Sequence, residues 1–196
     1  MAGKKQFDVD SALDAAMIQF WRAGPTGTSV DDLSRATGLN RSSLYSSFGD
    51  KDALFLRCLE RYAARYGTRY DAALASGGGP VAAVRAFFEV TLDRIADPQL
   101  PDGCLVAQSL LAIPEFSPIL AERTQAAGSF QRVRLDAALR AAGLPDRRAE
   151  TFAVHIAAVN HSLAVMSRAG ASAAQLRAIV GVTLDALAQA FRENAH

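Results

Sequence analysis

The sequence predicts an all-α fold, with an N-terminal three-helix module containing a helix-turn-helix and a larger C-terminal helical body, about nine helices in total. Three observations carry this. Apolar residues recur at helical spacing along nearly the whole chain, capping residues stand before the apolar runs, and glycine and proline fall between them. No stretch alternates in the manner of a half-buried strand, and no repeat of 20 to 50 residues suggests a solenoid.

Each element has a local cause. Val9, Leu13, Ala16, Met17, Phe20 and Trp21 lie on one face of a first helix, which Gly24 and Pro25 end. Ser29 is placed to cap a second helix, and Asp32 completes a capping box. That helix runs to about Thr37 before Gly38. Asn40 caps a third helix over 41–47, which Phe48-Gly49 stops, and Asp50 caps a fourth that turns Leu54, Phe55, Cys58, Leu59 and Tyr62 inward. Ser76-Gly77-Gly78-Gly79-Pro80 is the clearest break in the chain. A module boundary falls near it, with the fourth helix shared between modules. The expected division is residues 1–55 for the helix-turn-helix and 56–196 for the body. Longer helices follow at about 81–96, 103–112, 118–142, 147–169 and 173–193.

Composition narrows the function. The 196 residues are 50% hydrophobic and 21% charged, which fits a globular chain with a core and excludes disordered or collagen-like material. No run approaches the roughly 18 apolar residues of a membrane helix. The polar N-terminus is read as carrying no secretory signal, so the expected location is cytoplasmic. Net charge is +1, and residues 1–60 carry seven basic against eight acidic side chains. Bulk charge therefore does not mark a nucleic-acid coat, and any such role rests on where charges sit.

Two short helices joined at Gly38-Leu39 have the lengths of a helix-turn-helix. At 100° per residue, Leu44 and Phe48 share the buried face of the third helix and pack toward Leu33 and Met17. Ser42, Ser43 and Ser46 point the other way, with Tyr45 and Ser47 on the flanks. Small hydroxyls on a helix headed by Arg41 suit close approach to a DNA major groove. The hydroxyls bond bases or phosphates, and Arg41 matches guanine O6 and N7. Phosphate contacts are expected from Thr28, Ser29, Tyr45 and Lys51, three of them near helix N-termini, which favour anions. Lys4 and Lys5 are read as a solvated leader rather than a DNA-tracking arm.

Residues 28–54, TSVDDLSRATGLNRSSLYSSFGDKDAL, resemble the DNA-binding signature of the TetR/AcrR transcriptional regulators. The Thr28-Ser29 start, Gly38-Leu39-Asn40 at the turn, Leu44-Tyr45, Phe48 and Lys51-Asp52-x-Leu54 carry the likeness. Ser34 and Thr37 stand where the family usually has alanine, and Ser46-Ser47 where bulkier or basic residues are commoner. The resemblance implies a C-terminal domain that binds a small, often apolar effector and dimerises through its last two helices.

For that effector pocket the candidate lining residues are Phe87, Phe88, Thr91, Leu110, Phe116, Phe130, Asn160 and Met166. Asn160 stands out because a buried amide in an apolar helix needs partners. For the dimer interface the candidates are Ala157, Ala164, Ile179, Val180, Thr183, Leu187 and Phe191, in which small residues permit close approach beside a wide apolar stripe.

Catalytic and metal patterns are missing. His155 and His161 are six apart, off the i, i+4 spacing of a helical zinc pair. Cys58 and Cys104 are too few for a disulfide framework. Cys104, with no basic neighbour in sequence, reads as a helix-start packing residue rather than a redox sensor. The glycine triplet lacks the Lys-Ser/Thr of a phosphate loop, and no serine sits in a nucleophile elbow. The chain is expected to be no enzyme and to need no metal or cofactor. The leading expectation is a homodimeric, ligand-responsive regulator that binds a pseudo-palindromic double-stranded DNA operator and is released by an unidentified small molecule. The alternative is a helical small-molecule carrier or interaction scaffold with a vestigial helix-turn-helix.

Overall fold

Capping residues set the helix starts in the computed structural model, which describes residues 8–194. Lys4, Lys5 and His196 lie outside the described residues. Asp8 caps α1 (Val9–Ala23), and Ser29 caps α2 (Val30–Thr37) in a complete capping box with Asp32. Asn40 accepts from the Ser43 amide at the start of α3 (Arg41–Phe48), and Asp50 accepts from the Ala53 amide at the start of α4 (Lys51–Leu74). α2 hands over to α3 through Gly38, at φ 70° and ψ 10°, a left-handed conformation that glycine adopts without a Cβ clash.

The body continues with α5 (Pro80–Ala96), α6 (Leu105–Leu111), a 3₁₀ turn at Ile113–Glu115, α7 (Pro118–Ala141), α8 (Asp146–Arg168) and α9 (Ala173–Asn194). Among the described residues there are nine α-helices and no strand, as the sequence predicts. α6 starts two residues later than its sequence suggests, because Gly103 takes a positive φ and Cys104 is extended. No helix among the described residues is long and apolar enough to cross a membrane.

One core runs through the molecule. Met17, Phe20 and Trp21 of α1 are buried with Leu33, Leu44 and Phe48 of the short helices, and the same cluster continues through Phe55 and Tyr62 of α4 into Phe87, Phe88, Leu135 and Ile156. α4 is a single helix of 24 residues, and it packs on α1 at one end and on α5 and α7 further along. At Gly67, a Cβ would stand 3.1 Å from Nη2 of Arg134, a flexible side chain of α7.

Ion pairs clamp α1 to α4. Arg61 donates from Nε and Nη2 to the two Asp14 oxygens at 2.8 and 2.9 Å and from Nη1 to Asp10 at 2.8 Å, while Arg65 Nη2 adds a bond to Asp14 at 2.9 Å. Hydrogen bonding from Arg61 holds the Asp14 carboxyl below its ordinary pKa, against an opposing effect of burial. A group depressed in the folded chain stabilises it above the unfolded pKa of about 3.9, and that contribution disappears as pH falls through the folded value. Asp14→Asn is therefore expected to lower the thermal midpoint at pH 7. The gap to the parent chain should close as the medium is acidified below about pH 4. Melting curves from pH 7 to pH 3 check this, and a gap that stays constant would assign the loss to packing instead.

Candidate functional site

α3 presents one apolar and one polar face. Leu44 and Phe48 are 4% exposed and close onto the core, while Arg41, Ser42, Tyr45 and Ser46 face solvent. Ser43 and Ser47 are half-buried on the flanks. Tyr45 is half exposed, which leaves its ring and hydroxyl at the surface rather than in the core. Arg57 on α4 bonds the Ser47 carbonyl at 3.1 Å and lies 5.1 Å from the Phe48 ring centroid, fixing the far end of α3.

The guanidinium of Arg41 is engaged. Its Nε and Nη2 reach the Asp31 carboxylate of α2 at 2.8 to 3.0 Å, in a fork geometry at an exposed position. The pair holds the arginine at the tip of α3, and the same fork geometry fits a guanine edge once Asp31 is exchanged for it. Lys51 is also engaged. Its Nζ donates to the Pro25 carbonyl at 3.0 Å and the Thr28 carbonyl at 3.1 Å, so it ties the loop between α1 and α2 to the start of α4.

Thr28 departs from the expected role. Its side chain is 1% exposed and its Oγ1 donates to the Gly24 carbonyl at 2.7 Å, so it closes the turn after α1 instead of reaching a phosphate. Ser29 stays at the surface with its Oγ bonded to Asp32, and its exposed position is still open to an anion.

The expected effector residues do not gather around one cavity. Phe87, Phe88 and Thr91 are fully buried, with the Phe87 ring tilted against Tyr70 at 4.5 Å and Thr91 hydrogen-bonded to the Tyr70 hydroxyl at 2.7 Å. These three are core. Phe130 is 45% exposed beneath the Arg134 guanidinium, which is itself paired with Asp71. Phe116 packs toward Phe55 at 6.1 Å, and Leu110 and Met166 are half-buried against the core. Asn160 does find partners, donating to Gln131 at 3.0 Å and to Tyr70 at 3.4 Å, yet its Oδ1 has no donor. A cleft of about 480 Å³ opens elsewhere, between Ala23–Thr26 at the end of α1, Cys104 and Gln108 at α6, and Ala164 and Arg168 on α8. None of the eight expected residues borders it.

Cys104 is buried and accepts a hydrogen bond from the Tyr62 hydroxyl at 3.2 Å. It does have a basic neighbour in space, because Arg94 on α5 donates to the carbonyl of Gly103, the preceding residue. Arginine is ordinarily a surface residue, and composition gives no sign of the burial of Arg94. Its one signal is spacing, since Phe87, Thr91 and Arg94 fall at steps of four and three on the buried face of α5. The other thiol, Cys58, is pushed well above its ordinary pKa by burial, which makes it unreactive.

The expected dimer residues mostly face inward. Ala157, Ala164, Val180, Thr183 and Leu187 are at most 6% exposed within a single chain, where they pack α8 and α9 onto the body, while Ile179 and Phe191 are half-buried. The outward faces carry a different set. Val154 and Val165 of α8 are about half exposed, Val182 of α9 is 73% exposed, and Ala158, Ala178 and Ala186 lie at the surface with them.

A helix-turn-helix whose second helix turns an arginine, hydroxyls and a tyrosine outward defines a DNA-binding regulator rather than an enzyme. The chain belongs to the TetR family of bacterial regulatory proteins. Residues 12–58 match the family described as bacterial regulatory proteins, tetR family, and residues 80–181 match the C-terminal domain of LmrA/YxaF-like transcriptional regulators. The HTH-type transcriptional repressor ComR of Escherichia coli is 29% identical, with 92% of this chain and 89% of ComR covered. The HTH-type regulator YezE of Bacillus subtilis is 30% identical over 62% of each chain. A cysteine variant of the TetR family regulator CifR, solved with 26-base-pair operator DNA, is 27% identical with a TM-score of 0.84, over 93% of this chain and 98% of that one.

Proposed function

We propose that the chain is a cytoplasmic, homodimeric, ligand-responsive repressor that holds a pseudo-palindromic operator. The carrying observation is the outward face of α3, where Arg41, Ser42, Tyr45 and Ser46 stand clear of the core that anchors Leu44 and Phe48. The proposed DNA contacts are Arg41 to a guanine, Ser42, Ser43, Ser46 and Ser47 to base edges or phosphates, and Ser29 and Tyr45 to phosphates. Lys51 acts by holding the Pro25–Thr28 turn in place as well as by its charge. The division between modules falls inside α4, which serves both.

In the dimer, two α3 helices enter successive major grooves about 34–36 Å apart. A small molecule bound in the body favours a different separation and so lowers operator affinity, which requires that it bind the two states unequally. The repressor reading is supported by the likeness to the repressor ComR, and operator binding by the likeness to CifR on its operator DNA.

In vitro selection from random duplex DNA, at about 0.15 M salt with nonspecific competitor, tests the reading directly. An enriched pseudo-palindrome is the expected result. Recovery of no sequence would favour a carrier or scaffold instead. On the selected site, Arg41→Ala should weaken binding roughly tenfold and relax preference at one base pair of each half-site. Asp31→Ala, which frees the same guanidinium, should not weaken binding. Electrophoretic mobility shifts with single-base variants check both, and equal loss at every base pair would make Arg41 a phosphate contact.

A further inference from the structure

Arg94 is the least accounted-for side chain in the body. It is 3% exposed, and no Asp or Glu among the described residues lies within ion-pair distance of it. A guanidinium does not shed its proton in a protein, so the interior holds a permanent positive charge. One hydrogen bond, from Nη1 to the Gly103 carbonyl, is present, and Nε has no acceptor. The guanidinium carbon lies 5.6 Å from the ring centroids of both Trp21 and Tyr66. Aromatic faces offset part of the cost of burying a cation, but a buried charge ordinarily has an anionic partner.

A second buried donor beside Arg94 also lacks an acceptor. Trp21 Nε1, fully buried beside Arg94, is a second donor with nothing to bond. His161 Nε2 is unpartnered as well, and since burial together with the charge of Arg94 holds its ring below the ordinary imidazole pKa, this nitrogen donates or accepts according to the tautomer. Tyr62 spends its hydroxyl on the thiol of Cys104, a weak acceptor. Two orphan donors flanked by aromatic walls are what a planar carboxylate on an aromatic or apolar body would satisfy.

The segment that Arg94 bonds borders open space. Gly103 and Cys104 form the short non-helical segment before α6, Gly103 bonds Arg94, and Cys104 lines the cleft of about 480 Å³. The opposite wall of that cleft is Ala23–Thr26, whose Gly24 and Pro25 carbonyls bond Thr28 and Lys51.

We propose that Arg94 is the anion-binding subsite of the effector site, and that its ligand is a small molecule carrying one carboxylate on an aromatic or apolar body. The carboxylate takes the place of the Gly103 carbonyl on the guanidinium, and the body occupies the cleft between α6, α8 and the end of α1. The proposal rests on the ligand-responsive reading and names the chemistry of its ligand.

Trp21 is the only tryptophan in the chain, so its fluorescence reports on the subsite. Benzoate titrated into the full-length protein should change that fluorescence saturably, and the neutral isostere benzamide should require at least tenfold higher concentration. Arg94→Met should abolish the benzoate response without lowering the thermal midpoint, because it removes an unpaired buried charge. Arg94→Lys, which keeps the charge and loses the fork, should bind benzoate more weakly than the parent chain. Benzamide binding as well as benzoate, no saturable response to benzoate, or an undiminished response in folded Arg94→Met would each overturn the proposal. If Arg94→Met does not fold, the benzoate and benzamide comparison on the parent chain decides alone. Operator release is scored separately. Benzoate binding that leaves operator affinity unchanged would overturn ligand-responsive repression while sustaining the Arg94 subsite. Operator release by neutral molecules with no benzoate binding would do the reverse.

Discussion

Replacing Phe55 with alanine is expected to lower the free energy of unfolding by about 3–5 kcal/mol, the range for truncating a large buried aromatic. At roughly 2–4 °C per kcal/mol for a chain of this size, the thermal midpoint should fall by about 6–20 °C. Phe55 is 1% exposed on α4, with its ring edge-on to Phe20 of α1 at 5.2 Å and tilted toward Phe116 at 6.1 Å. It therefore stands where the DNA-binding helices, the shared helix and the segment before α7 converge. Neighbours on separate elements cannot all move in to fill the space, so a cavity remains and the cost lies toward the upper part of the range. Phe55→Leu keeps most of the volume and should lose less than half as much. Calorimetry on both variants measures the difference, and a loss below about 1 kcal/mol for alanine would mean that the junction collapses freely.

The same junction shows what was legible in the sequence. Helix starts could be read because their causes are local: Ser29 with Asp32, Asn40 and Asp50 all cap the helices they were expected to cap. The apolar face of α3 could be read because Leu44 and Phe48 are four residues apart on a short helix. Thr28 could not. Its burial depends on the turn after α1 folding back so that Gly24 offers a carbonyl, and a Thr-Ser pair before a helix looks the same whether its first hydroxyl points out or in. Arg94 and the partners of Asn160 escaped for a related reason, since these environments are assembled by residues from distant parts of the chain. Tyr70 and Asn160, for example, are 90 positions apart. Periodicity identifies which side chains share a face, and it is silent on what the opposite face meets.

Val182→Glu is expected to convert the proposed dimer to a monomer and to reduce operator affinity by about two orders of magnitude or more. The reasoning starts from α9, which has two apolar stripes. Leu176, Val180, Leu184 and Leu187 are buried in the chain's own core, so they are unavailable to a second copy. Val182 remains 73% exposed, and Ala178 and Ala186, one turn to either side of it on α9, are exposed with it, as are Val154 and Ala158 on α8. Small side chains let helices approach closely, which suits pairing of α8 and α9 with their copies. In a two-fold interface a patch meets itself, so one substitution introduces two like charges, at a cost of several kcal/mol if they are juxtaposed and desolvated. A monomer offers one α3 to one half-site and loses the gain from engaging both halves together. Sedimentation equilibrium gives the mass and mobility shift gives the affinity. Since Val182 makes little contact within its own chain, the helical circular dichroism of the monomer should match that of the parent. A variant that stays dimeric with full operator affinity would move the interface off this face, while a monomer with undiminished affinity would show that one α3 suffices.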